Sequence, residues 1–122
     1  AMEKTLHSRV AAIDIGSNAL RMQIFERDAQ GAITAIETVR RPVRLGQDVF
    51  NNGKILPGSF NAAIDAMREF SMLIDKAGVS QVGAVATSAV RESSNGAAFI
   101  ERVLRDTGIE VQIIDRNLRD LR

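Results

Sequence analysis

The chain has 122 residues, 45% of them apolar and 25% charged, with a net charge of +1. That balance supports one small domain with a real hydrophobic core, and it gives no overall field that would favour nucleic acid or a membrane surface. The absence of cysteine excludes disulfides and thiolate zinc sites, and no apolar run approaches membrane-spanning length.

Residues 1 to 9 read as a polar leader. AMEKTLHSR is too charged for a signal peptide, so a cytoplasmic protein is expected. Ala1 reads as a cloning residue ahead of Met2, and His7, the single histidine, as a solvated terminal side chain.

From residue 10 the apolar run Val10 to Ile13 predicts a strand, interrupted by Asp14 and followed by a turn through Gly16, Ser17 and Asn18. Leu20, Met22 and Ile24 then alternate with Arg21 and Gln23, the period-2 pattern of a half-buried strand. Gly31 marks the turn into a third strand, residues 32 to 45, where Pro42 points to an edge or to the end of pairing. Residues 46 to 58, GQDVFNNGKILPG, read as a loop dense in Gly and Asn.

Pro57 suits a first helical turn, and Phe60, Ile64, Met67, Phe70 and Ile74 recur at helical spacing up to a stop at Gly78. VGAVAT, residues 82 to 87, predicts a short strand buried on both faces. A second helix is expected after the SSN at 93 to 95, with Phe99, Ile100, Val103 and Leu104 inward and Gly108 as its stop. EVQII, residues 110 to 114, is the last strand. The order β-β-β-α-β-α-β predicts an α/β fold, a mixed five-stranded sheet with helices packed on it.

Two features stand out as chemistry. A hairpin needs a turn, but it does not need an acid within the preceding strand or a serine beside the asparagine. On the residues alone the turn is either a plain one capped by Asp14 or a cradle of backbone donors for an anion. Arg91, just past the buried strand, is either a solvated arginine at a helix start or an anion ligand; a cation sits poorly at that end of a helix unless an anion is near. Arg40, Arg41 and Arg44 form the only basic cluster of the first half, read either as a solvated edge or as a guide for a polyanion. Thr87 and Ser88 are read as satisfying strand-end backbone groups, and Asn95 as a helix cap or loop residue.

Three blocks, AAIDIGSNALRMQIFE, RRPVRLGQDV and AVATSAVRESSNGAAFIERVLRDTGIEVQII, resemble the N-terminal domain of the Ppx/GppA phosphatases. That family comprises exopolyphosphatases and guanosine pentaphosphate phosphohydrolases. The resemblance runs from about residue 10 to residue 114 and implies a ribonuclease-H-like half-domain of the actin-like ATPase superfamily. It implies a parent enzyme that hydrolyses terminal phosphoanhydride bonds of polyphosphate or guanosine penta- or tetraphosphate, with Mg²⁺, and homodimerisation of the full-length protein.

On that resemblance, Gly16, Ser17 and Asn18 bind phosphate, Arg91 lies near the cleaved bond, and Arg44 of the VRLG block guides the polyanion. Asp14 can hold Mg²⁺ directly or through water, neutralising phosphate charge. No DNA or membrane partner is expected.

The resemblance breaks at the end. After Ile114 the family reads like SGEEEARL, and a glutamate there is regarded as the base that activates water; this chain reads DRNLRDLR. Leu118 and Arg119 stand where acids are expected, and Asp115 and Asp120 are the replacement candidates. Residues 10 to 122 are therefore read as a single N-terminal domain lacking the second half-domain and inactive alone. Three explanations stay open: a truncated N-terminal piece, a standalone phosphate- or nucleotide-binding module, or a site completed by another chain.

Overall fold

The computed structural model describes residues 8–115. Its elements are β1 (Ser8–Ile15), β2 (Ala19–Arg27), β3 (Ile33–Pro42), α1 (Leu45–Asn52), α2 (Pro57–Ala77), β4 (Gln81–Ala86), α3 (Ser88–Arg91), α4 (Gly96–Thr107) and β5 (Val111–Ile113). The strands form one sheet in the order β3-β2-β1-β4-β5. β1, β2 and β3 pair antiparallel, while β4 and β5 run parallel to β1.

Alternation sets the buried face. Ala11, Ile13 and Ile15 of β1 and Leu20, Met22 and Ile24 of β2 point into the core; Ala12, Asp14 and Arg21 point out. Ile64, Met67, Phe70 and Ile74 of α2 and Phe99 and Val103 of α4 complete that same core. The described helices therefore cover one face of the sheet. Phe60 packs edge-on to Phe99 with ring centroids 5.5 Å apart, joining α2 to α4.

Polar contacts fasten the helices. Arg9 donates from Nη1 to the Ala77 carbonyl at 3.0 Å, a cation on the negative end of the α2 dipole, and pairs with Glu26 of β2. Arg41 grips Glu69 of α2 with both arms, Nε to Oε1 at 2.8 Å. Asp106 of α4 accepts from Arg68 of α2 at 2.7 Å and from Arg102 at 2.9 Å.

Four expectations need correction. Residues 45–52, expected as strand end and loop, form α1, because Leu45 and Val49 lie one helical turn apart and pack on the core. Gly53, in the left-handed region at φ 74°, closes that helix by donating to the Val49 carbonyl at 2.8 Å. β3 ends at Pro42, at the sheet's edge, so Arg40 and Arg44 do not share a strand face. β4 is buried on one face only, through Ala84 and Ala86, since the described helices cover a single side. Leu104 is exposed, because the inward stripe of α4 runs through Phe99 and Val103 and passes it by.

Among the described residues no helix is long and apolar enough to cross a membrane. Asp120 and His7 lie outside the described residues.

Candidate active site

Three loops meet at the carboxyl ends of the parallel strands. Thr87, after β4, donates its N–H to the Ile15 carbonyl of β1 at 3.2 Å, and Ile114, after β5, donates to the Ala86 carbonyl at 2.9 Å. The turn after β1, the short helix α3 after β4 and Asp115 after β5 thus lie along one edge. That edge is where open α/β sheets bind ligands.

The β1–β2 turn is tight. Gly16 donates its N–H to the Ala19 carbonyl at 3.0 Å, so that donor is spent on closing the hairpin. None of Gly16, Ser17 and Asn18 adopts positive φ, so the turn is not the alternating-handed nest that three consecutive donors would make. What remains are the N–H groups and side chains of Ser17 and Asn18, which have no hydrogen-bond partner among the described residues. The turn is braced from behind: Gly46 of α1 donates its N–H to the Ser17 carbonyl at 2.9 Å. Arg44, two residues earlier, stands at the entry of α1.

Asp14 lies at the end of β1 with its side chain on the helix-free face, directly across from Arg21 of β2 and Val85 of β4. Among the described residues no group of three potential metal-ligating side chains occurs, so Asp14 offers a single carboxylate. Mg²⁺ is commonly held by one or two carboxylates with water and substrate phosphate supplying the rest, and Asp14 fits that pattern.

Arg21 is a residue that motif reading passes over. It shares Asp14's face, stands in register with Arg40 of β3, and has no ion-pair partner among the described residues. The signal for it was the alternation itself, which puts every second residue after the turn on Asp14's side. Of the basic cluster, Arg41 is committed to Glu69, whereas Arg40 lies on the open face.

Arg91, the last residue of α3, has a side chain 36% exposed. Its Nη1 donates to Asp115 Oδ1 at 3.2 Å and its Nη2 to Glu92 Oε2 at 3.3 Å. The two guanidinium arms thus hold carboxylate oxygens of two different rim residues, and a guanidinium fork is equally a donor for phosphate oxygens. Asp115 is held by that arginine. Thr87 stands at the N-cap of α3 without a side-chain cap bond: its Oγ1 is buried and has no partner among the described residues.

Asn95 is likewise not a side-chain cap. Its amide clasps both backbone polar groups of Ile55, accepting from the N–H and donating to the carbonyl, each at 2.9 Å. Between α1 and α3, beside Ser17, runs an open groove lined by Gly46, Val49, Phe50, Ser88 and Glu92.

A profile described as the Ppx/GppA phosphatase family matches residues 23–118. Exopolyphosphatase 1 of Mycobacterium tuberculosis is 28% identical over 106 residues, covering 87% of this chain and 31% of the relative. The counterpart in Mycobacterium leprae is 26% identical over the same length. A crystal structure of the Aquifex aeolicus member of the Ppx/GppA family superposes with a TM-score of 0.87 at 35% identity, over 91% of this chain and 36% of that one. An exopolyphosphatase from Cytophaga hutchinsonii gives 0.83 at 29% identity, over 88% of this chain and 34% of that one. A nucleoside triphosphate hydrolase from Neospora caninum, at 14% identity and a TM-score of 0.57, shares the fold. The chain spans about a third of the length of these relatives.

Proposed function

The chain belongs to the Ppx/GppA phosphatase family, and from that premise we propose that it supplies one wall of a phosphoanhydride hydrolase site acting on inorganic polyphosphate or guanosine pentaphosphate. The observation that carries this is the placement, along one sheet edge, of donors at Ser17 and Asn18 that have no partner among the described residues together with the guanidinium fork of Arg91. In such a reaction water attacks the terminal phosphorus and charge builds on its equatorial oxygens. Fixed N–H donors and a planar cation stabilise that charge without reorganising.

Asp14 is the residue that would hold Mg²⁺, whose chemistry there is to neutralise phosphate charge. Arg21 and Arg44 extend the cationic lining toward the rest of a phosphate chain. The exopolyphosphatase names of the relatives support the substrate class. The pairing of Asp115 with Arg91 favours a second reading for this chain by itself, an anion-binding wall that does not hydrolyse.

The test is a pair of measurements on the 122-residue chain and its Arg91→Ala variant: tripolyphosphate binding by calorimetry, and phosphate release from tripolyphosphate and guanosine pentaphosphate. We expect salt-sensitive binding weakened by Arg91→Ala, with hydrolysis near background. Loss of a general base alone costs about 10²–10⁴-fold in rate. Equal binding by the variant would remove Arg91 from the site, and robust turnover by the chain would overturn the one-wall assignment.

A further inference from the structure

The helix α1 touches both sides of this site, one with each end. At its start, Gly46 donates to the Ser17 carbonyl at 2.9 Å. The approach is so close that a Cβ on residue 46 would stand 2.8 Å from Ser17 Cβ, a separation real Cβ atoms do not tolerate. Only glycine lets the helix reach the turn.

At the other end, the Gly53 carbonyl accepts from the Ser94 N–H at 2.9 Å. Two residues on, Ile55 is held through its N–H and its carbonyl by the Asn95 side chain. The amide is itself oriented: the Ser93 hydroxyl donates to Asn95 Oδ1, and the Asn95 N–H donates to Ser93 Oγ at 3.1 Å. Ser93 in turn donates its N–H to the Val90 carbonyl, next to Arg91. An unbroken path of bonded groups therefore runs from Ser17 through α1 and Asn95 to the segment that carries Arg91.

We propose that Gly46 and Asn95 are positioning residues that make α1 a strut, fixing the separation between the phosphate turn and Arg91. The inference rests on reading Ser17, Asn18 and Arg91 as opposed donors to one phosphate. One group lies on a hairpin turn and the other at the end of the four-residue helix α3, segments that open locally more easily than the sheet does. A fork and an amide pair grip one anion only at a set spacing, and small misplacements are costly. The strut supplies that spacing without touching the ligand.

The experiment is amide hydrogen exchange by NMR on the 122-residue chain, together with tripolyphosphate titration. Asn95→Ala should lower protection of the Gly46 amide by about tenfold, the scale of one lost hydrogen bond, while Met22 and Ile24 in β2 keep theirs. Asn95→Asp retains the acceptor for Ile55 and loses the donor, so it should fall between. Asp106→Asn, which loosens α4 against α2 without touching the strut, should leave Gly46 unchanged relative to β2.

Wild-type protection at Gly46 in Asn95→Ala, with only a uniform loss of stability, would overturn the strut. So would tripolyphosphate binding that Arg91→Ala weakens and Asn95→Ala does not. A wild-type chain that fails to bind tripolyphosphate overturns the phosphate reading instead, and the exchange data still decide the strut. Should Asn95→Ala fail to fold, Gly46→Ala tests it from the other end. The wedge against Ser17 must then shift the amide resonances of Ile55 and Ser94, and unmoved resonances refute the coupling.

Discussion

The guanidinium of Arg91 and the carboxylate of Asp115 meet at 3.2 Å on the rim where the three parallel strands end. The pair is exposed, Arg91 at 36% and Asp115 at 56% of the side chain. Exposed pairs of this kind are worth roughly 0.2–1 kcal/mol. A phosphate chain with higher charge density can therefore displace the carboxylate.

Asp115→Ala should accordingly tighten tripolyphosphate binding by up to about fivefold at low salt, the affinity equivalent of that pair energy. The gain should shrink as added salt shortens the screening length. Weaker binding in Asp115→Ala would mean that the carboxylate holds the fork in its working orientation.

The ion pairs between α2 and its neighbours are expected to make the fold sensitive to acid. Arg68, first, and Arg102 hold the Asp106 carboxyl below its usual range by hydrogen bonding, and Arg41 does the same for Glu69. A depressed folded-state value means the contribution is fully present above the unfolded carboxylate range, near pH 4, and is lost as pH falls through the folded value. The melting temperature should thus stay flat from pH 8 to about 6 as far as these groups are concerned, then decline below about pH 4. Asp106→Asn should melt lower at neutral pH and lose less on acidification. A variant as acid-sensitive as wild type would place the lost stability elsewhere.

Thr87 separates stability from function. Its hydroxyl is buried without a partner among the described residues, and such a group costs about 1–3 kcal/mol relative to a satisfied one. Thr87→Val, which keeps the β-branched shape and removes the oxygen, should melt at the same temperature as wild type or higher. If the oxygen also serves the anion site, tripolyphosphate binding should weaken in the same variant. A clear drop in melting temperature would show that the hydroxyl has a partner in solution.

Much of this arrangement was legible in the sequence wherever one periodicity dominated. Leu20, Met22 and Ile24 alternate cleanly and are all fully buried, and the α2 stripe from Ile64 to Ile74 repeats at helical spacing. The helix α1 was hidden because Gly46, Asn51, Asn52 and Gly53 are turn formers, while only Leu45 and Val49 mark its inward side. Gly46 serves a close approach and Gly53 a helix stop, roles that depend on what packs alongside. The alternation alone puts Arg21 on Asp14's side, whereas Asn95 owes its position to a partner 40 residues away. Local sequence carries no such information. At Leu104 helical periodicity suggested burial, but the 12-residue α4 faces the core through Phe99 and Val103 with Ile100 alongside, and Leu104 falls beyond that stripe.

Among the described glycines the closest approach to a neighbouring backbone lies behind Arg91. Gly96 begins α4 so close to the end of α3 that a Cβ there would stand 2.2 Å from the Val90 carbonyl oxygen. That oxygen is backbone, and it already accepts the Ser93 N–H, so no side chain can swing aside to make room. Gly96→Ala must push α3 and α4 apart. Overpacking of a well-filled site costs about 1–3 kcal/mol, and the helix propensity gained by alanine recovers at most about 1 kcal/mol of it. Because α3 ends in Arg91, the same displacement moves the fork away from the turn at Ser17. Denaturant unfolding of Gly96→Ala should show a lower midpoint, with tripolyphosphate binding reduced under conditions where the variant remains folded. Gly58, where an added Cβ meets nothing within 4 Å, is the matched control, and Gly58→Ala should be neutral or slightly stabilising. Equal stability of the two variants would show that α4 can move back from Val90 without cost.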